Sequence, residues 1–454
     1  MPTPRIASEP TGRDSARESH TTNMTSMKII NYDIRRNVNF PLLAVVALLL
    51  ALGTTVIFSA TSAMPGASGF MLRHVVGIVL GLVLMVGFWI FDYRHFTDAI
   101  IPLWILNVFL IISPRIPGIG STGGGSERWL AIGTTNIMQP SEPAKLVTIL
   151  LLAAIVARYE GEIYELRDFL KVLVLSLIPP ALMMIFISDL GTALVFVAIS
   201  LGILWVGGAR LRYVAVLLAI GITFAFGFVY IESQYAKEND GDGHILKEYQ
   251  LNRLMVFVDP TVDPRGAGYN LSQAKISIGS GEFSGKGLGS GTQSNLNFLP
   301  ERHTDFIFAV LGEEAGFLGA VTLLGLYLAL LVVALSICAS SVDLYGSLIA
   351  AGIMSMWVFQ IFENVGMNMG LMPITGIPLP FMSYGSSFLV TNLAAVGVLL
   401  SIWRQRTYQS PIKGVDDDGS QLAEPSTPAL QRTQSTRTAE KGRHSRRSSS
   451  RPRT

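Results

Sequence analysis

The stretch "NFLPERHTDFIFAVLGEEAGFLGAV", residues 297–321, decides how the chain is read. Glu301, Arg302, His303 and Asp305 lead straight into an apolar run, and Glu313 and Glu314 sit inside it. In a soluble protein this is a loop running into a helix, with Thr304 or Asp305 as its cap. In a membrane each carboxylate within the run costs on the order of 2.5–3.5 kcal/mol and needs a reason.

Composition settles the solvent. Of 454 residues, 50% are hydrophobic and 15% charged, against about 25% charged in globular chains. Net charge is +2 with no basic surface through the body of the chain, which excludes nucleic acid as a partner. The single cysteine, Cys338, rules out an internal disulfide framework. The six histidines are scattered, with no helical pair spaced for a metal, and the sequence requires no cofactor.

A membrane span needs about 20 apolar residues. Candidates are Phe40–Ala60, Arg73–Phe91, Ala99–Ile112, Pro143–Ala157, Phe169–Ile187, Leu190–Gly207, Tyr213–Ile231, Gly316–Cys338, Tyr345–Met369 and Phe388–Trp403. The expected fold is therefore an all-α integral membrane protein, a polytopic bundle of about ten transmembrane helices. The "SATSA" after the first run imitates a signal-peptidase site, but the run is too long for a signal core of about 7–15 residues. A retained first helix is expected. Pro179-Pro180 should kink the fifth helix, and Asp189 marks a tight turn between the fifth and sixth.

Three regions result: a disordered tail at 1–37, a membrane domain at 38–405 and a disordered basic tail at 406–454. Arg35/Arg36, "DYRHF", "RYEGEIYELRDFLK", "GGARLRY" and "WRQR" fall on one side if the number of spans is even. By the positive-inside rule both termini are cytoplasmic, and residues 232–304 form a large extracellular loop. The Arg/Ser-rich end, "KGRHSRRSSSRPRT", reads as a solvated tail, with contact to anionic membrane lipid the alternative.

"SIGSGEFSGKGLGSGTQ" in the long loop is not a phosphate loop. Ser280 stands where the first glycine belongs, and Gly287 follows Lys286 where a hydroxyl belongs. The glycines permit tight turns, and Lys275 and Lys286 remain for an anionic group. "GSERWLAIGTTNIMQPSEPAKLV" brings Arg128, Glu142 and Lys145 to the outer mouth of the fourth helix, with Ser141 its expected N-cap. Lys145 opposes the helix dipole there. It is explained either by an i,i+3 pair with Glu142 or by phosphate binding. Glu313, Glu314 and Glu363, with Asn364, suggest a polar chamber open to the outside, lined where glycines break the helix. "MGLMPITGIPLPFMSYGSS" cannot be helical throughout and should form a rigid rim over that chamber.

"QPSEPAKL", "DLGTALV", "GTQSNLNFLPERHTDFIFAVLGEEAGFLG" and "GLMPITGIPLPFMSYGSS" occur in order across roughly residues 40 to 405. On these segments the chain closely resembles the SEDS family (shape, elongation, division and sporulation), in wording nearer its elongation-type than its division-type members. Ser188 and Ser386 depart from the usual proline and glycine. The resemblance implies a peptidoglycan glycosyltransferase that polymerises lipid II at the outer face of the plasma membrane. It implies Asp305 as the catalytic residue and a class B penicillin-binding protein as partner. Arg128, Lys145 and Arg302, then His303, are the candidates to hold the leaving pyrophosphate, with Glu142 beside them. A divalent cation there is chemically plausible, though no dedicated cage is visible. A lipid flippase would use the same inventory but would line a path through the membrane with charge. A scaffold that only positions a synthase would leave Lys145 and Asp305 without purpose.

Overall fold

A computed structural model of the chain describes residues 37–123, 126–132, 135–238, 248–296 and 298–409. The tails expected at 1–37 and 406–454 lie almost wholly outside them. All ten apolar stretches are helical: α1 Phe40–Ser62, α2 Ala67–Ile90, α3 Ile100–Ile112, α4 Ser141–Ala157, α5 Leu166–Leu182, α6 Leu190–Val206, α7 Leu211–Glu238, then α10 Ile307–Ala339, α11 Leu344–Met369 and α12 Ser386–Gln409. In lipid a spanning segment must bond its backbone internally, which is why apolar runs of this length become helices. Among the described residues, α1, α2, α5 with its following turn, α10, α11 and α12 are long and apolar enough to cross a membrane. The helices α3 and α6 and the first part of α7 are apolar but shorter. Large side chains such as Leu72, Val83, Ile101 and Phe109 remain exposed on the outside of the bundle, as a surface facing lipid tails requires.

Helix α4 is the central post, buried along nearly its whole length and packed against α3, α6 and α11. It begins one residue earlier than the sequence suggests. Pro140, not Ser141, occupies the N-cap, with helical dihedrals of φ −68° and ψ −21° and no side-chain cap bond; the ring fixes φ near the value a helix needs. Helix α5 runs on through Pro179 and Pro180 and takes up the disturbance just after them, in a π-turn at Met183–Ile187. Ser188 then turns left-handed at φ 56°. Asp189 is more than a turn residue: its carboxylate accepts from Thr192 N–H at 3.1 Å and caps α6.

The all-α expectation has one exception. Between α3 and α4 the chain forms a small antiparallel sheet, β1 Gly120–Gly123, β2 Ser126–Ile132 and β3 Thr135–Met138, in the order β1-β2-β3. The expected long loop 232–304 is also largely helical where described. Helix α7 continues to Glu238, and α8 Glu248–Val258 and α9 Ala267–Ser280 follow, anchored by the buried Leu251, Val256, Leu271 and Ala274.

Helix α10 is two helices joined at Gly316, whose φ of 63° and ψ of −158° are not helical. An unbroken helix would bond Phe317 N–H to the Glu313 carbonyl and Leu318 N–H to that of Glu314. Instead the loop after α9 supplies partners for all four groups. Lys286 and Gly287 N–H donate to the Glu313 and Glu314 carbonyls at 3.0 and 2.9 Å. The Glu282 and Phe283 carbonyls accept from Phe317 and Leu318 N–H at 2.9 and 3.1 Å. Gly285 and Gly316 meet so closely that a Cβ on either would strike the other strand's backbone. Their shared need is close approach, not flexibility.

Candidate functional site

At the end of the bundle where α4, α6 and α10 begin, a cavity of about 400 Å³ opens. Its walls come from β2 and β3, the first turns of α4 and α6, α8, the 301–305 segment and the rim between α11 and α12. The rim, Gly370 to Gly385, is non-helical as its prolines and glycines require.

Asp305 faces this cavity. It is not a helix cap: Phe306 occupies that position and no side-chain cap bond exists. What the fold grips is its backbone. The Asp305 carbonyl accepts from Asn364 Nδ2 at 2.9 Å and Asn368 Nδ2 at 3.1 Å, both on α11. Asn364 also donates to the Ile377 carbonyl at 2.8 Å, tying rim and segment to one post. The rim is stitched on further by Ser383 Oγ to the Thr304 carbonyl at 2.7 Å and Tyr384 N–H to the His303 carbonyl at 2.9 Å. Burial, then the negative charge of Glu301, push the Asp305 carboxyl up to about 6, against the pull of Arg253 and Arg128. A carboxylate there is basic enough to take a proton near neutral pH and ionised enough to be free to do so.

Arg128 lines the cavity and pairs with Asp189 at 3.2 Å. Glu142 and Lys145 line it too, buried, and form the i,i+3 pair at 2.8 Å; Lys145 Nζ also stands 5.4 Å from the centre of the Phe388 ring. His303 lines the wall, its ring edge-on to Phe70 at 5.2 Å and tilted against Tyr384 at 5.4 Å. Burial holds its imidazole below the usual value, so it presents an uncharged ring at neutral pH.

Four predicted residues lie elsewhere. Arg302 is buried beneath the segment and donates from Nε to the Ala60 carbonyl at 2.7 Å. It is absent from the cavity lining, whereas Glu301, His303, Thr304 and Asp305 of the same turn are part of it. Glu313 and Glu314 do not line the chamber. Glu313 accepts from Lys286 Nζ at 2.7 Å, Thr292 Oγ1 at 3.0 Å and Gln293 N–H at 3.0 Å, and Glu314 accepts from Ser59 Oγ. The segment that mends the α10 break also leads into the donors of Glu313 Oε1, so Lys286 is not left for an anionic ligand. Glu363 stands behind the wall, bonded to the Thr375 hydroxyl.

The reading by sequence missed Arg253 on α8 and Tyr384 on the rim, both of which line the cavity. The polar face of an amphipathic helix at Glu248–Val258 was the available signal for Arg253. Among the described residues, no group of three or more His, Cys, Asp or Glu is placed to hold a metal ion.

Residues 40–408 match the family of cell cycle proteins that comprises FtsW, RodA and SpoVE. The chain is 35% identical over 365 residues to the peptidoglycan glycosyltransferase MrdB of Escherichia coli K12, covering 80% of this chain and 93% of that protein. It is 36% identical to a probable peptidoglycan glycosyltransferase FtsW of Nitrosomonas europaea (83% and 95% covered). To the stage V sporulation protein E of Bacillus subtilis it is 34% identical (81% and 97% covered). Among solved structures it is similar to the rod shape determining protein RodA of Thermus thermophilus, with a TM-score of 0.57 and 26% identity over 81% of this chain and 97% of that one. A chain from a peptidoglycan synthase complex that coordinates polymerisation and crosslinking gives 0.65 and 29%, covering 82% and 99%. The fold and the signature segments define a polytopic SEDS-type membrane protein. This chain belongs to the FtsW/RodA/SpoVE family, a family of multi-pass plasma membrane proteins.

Proposed function

We propose that the chain is a peptidoglycan glycosyltransferase that polymerises lipid II for cell elongation and shape, with Asp305 as its general base. The observation that carries the assignment is the division of labour at Asp305: two asparagines clamp its carbonyl, while among the described residues its carboxylate makes no hydrogen bond and faces the cavity.

In the proposed step, the 4-hydroxyl of the incoming GlcNAc gives its proton to Asp305 as its oxygen attacks C1 of a MurNAc carrying undecaprenyl pyrophosphate. The C1–O bond to pyrophosphate breaks, the electron pair leaves with the phosphate, and α becomes β. General base catalysis contributes about 10²–10⁴ in rate. Positive charge for the leaving group comes from Arg128 and Lys145, both on the cavity wall. Each is balanced by a carboxylate in the resting site, so pyrophosphate would exchange with Asp189 or Glu142 as counter-ion.

The basic loops support a topology with both termini in the cytoplasm and the cavity outside, where the disaccharide is presented. A class B penicillin-binding protein is the proposed partner, supported by the likeness to a chain of a synthase complex. The elongation role rests on the wording around "GTQSNLNFLPERHTDF". A division-type role is the second reading, favoured by the 36% identity to FtsW.

The test is glycan polymerisation from labelled lipid II by purified protein with its partner present and transpeptidation blocked. Wild type should make polymer, and Asp305→Asn should lose about 10²–10⁴-fold while keeping its fold and partner. Equal polymer from both would remove Asp305 as the base. No polymer from either, with lipid II crossing liposome membranes instead, would support a flippase.

A further inference from the structure

Gly376 on the rim has φ 76°, and no side chain separates the groups beside it. A Cβ there would stand 3.1 Å from Asp305 Oδ2 and 3.3 Å from Arg253 Nη1. The carboxylate and the guanidinium therefore converge on one point from opposite parts of the chain. Arg253 arrives on α8, held down by the buried Leu251 and Val256. On the same wall Arg128 pairs with Asp189 and Lys145 with Glu142.

We propose that Arg253 is a positioning residue that keeps the Asp305 carboxylate ionised and directed into the cavity. The inference rests on Asp305 being the base. The charged groups around Asp305 are Glu301 and His303 on its own segment, Arg253 on α8, Arg128 on β2 and Asp189 at the start of α6, with Glu363 on α11 behind the wall. The Glu142–Lys145 pair lies on the α4 wall as a balanced unit. Burial and Glu301 favour the protonated form, Asp189 adds to them, and Arg253 is the foremost charge opposing it, ahead of Arg128. Without Arg253 the base would hold its proton to higher pH.

The experiment is the pH profile of kcat/KM for polymerisation, with the full chain and its partner, in wild type, Arg253→Gln and Arg253→Lys. In Arg253→Gln the acid limb should move up by about one pH unit, a roughly fivefold loss at pH 6 that recovers toward wild type at pH 8. Arg253→Lys should restore the wild-type limb. A second measurement is independent of folding differences. Arg253→Cys is assayed before and after reaction with an aminoethylating thiol reagent, the native Cys338 being buried and wild type serving as the labelling control. Restoring the positive charge to the same folded protein should bring the limb back down. A limb that ignores the charge at 253, even with a uniformly lower rate, would overturn the proposal and leave Arg253 as a substrate or packing residue. A wild type with no acid limb, or an active Asp305→Asn, would instead overturn the assignment of the base.

Discussion

Asp305 and Glu313 stand at the mouth and in the first half of the same helix, and the fold treats them in opposite ways. Glu313 is fully buried, and three donors from one loop converge on its carboxylate. Such a group has a cation and two further donors of its own chain to set against its desolvation, all on one carboxylate oxygen. At Asp305 the strong donors go to the backbone carbonyl, and the side chain is left to the cavity, ringed by charge but bonded to none of it. A buried carboxylate is thus not a functional signal by itself. The direction of the hydrogen bonds around it, to the side chain or to the main chain, separates structure from chemistry.

The contrast can be broken from either end. Lys286→Met should have the largest effect on stability, because it leaves the buried Glu313 charge short of its cation, a loss on the order of 3–5 kcal/mol. Thermal unfolding in detergent should show a clear drop, and Lys286→Met combined with Glu313→Gln should recover most of it. If the single variant unfolds like wild type but polymerises poorly, Glu313 belongs to the chemistry after all. At Asp305 the prediction concerns pH. A base must be ionised, so kcat/KM should fall about tenfold per pH unit below about 6. Because folding raises this carboxyl above its unfolded value, its own contribution to stability should rise, not fall, as pH drops through 6. The smallest effect sharpens the boundary between the two regions. Ser383→Ala removes the hydroxyl that bridges Leu379 N–H and the Thr304 carbonyl and should cost about 1–3 kcal/mol, read as a fall in thermal midpoint with polymerisation within a few-fold of wild type.

The spans and the rim were legible because apolar length and the placement of proline and glycine are local properties. The break at Gly316 was legible for the same reason. The sequence did not reveal which way the neighbouring glutamates would turn, since buried carboxylates can be met by water in a cavity or by donors from the chain. Here the chief donor, Lys286, comes from 27 residues away. Arg253 carries no motif; only the docking of α8 delivers it to Asp305. Arg302 was misplaced because a run of polar residues does not say which of them face inward. The spacing of Glu142 and Lys145 admits either an ion pair or phosphate binding, and in the fold the paired residues also line the wall.

The mended break in α10 has a consequence for how the chain is made. Residues 282–287, which supply the partners, precede the break they complete. During vectorial synthesis the patch is already across, or at the membrane surface, when Gly316 emerges. The broken span therefore need not wait in lipid with four open backbone groups, each of which would be costly there. A permuted chain that moved this loop behind the helix would keep every contact of the finished protein and lose the order of its arrival.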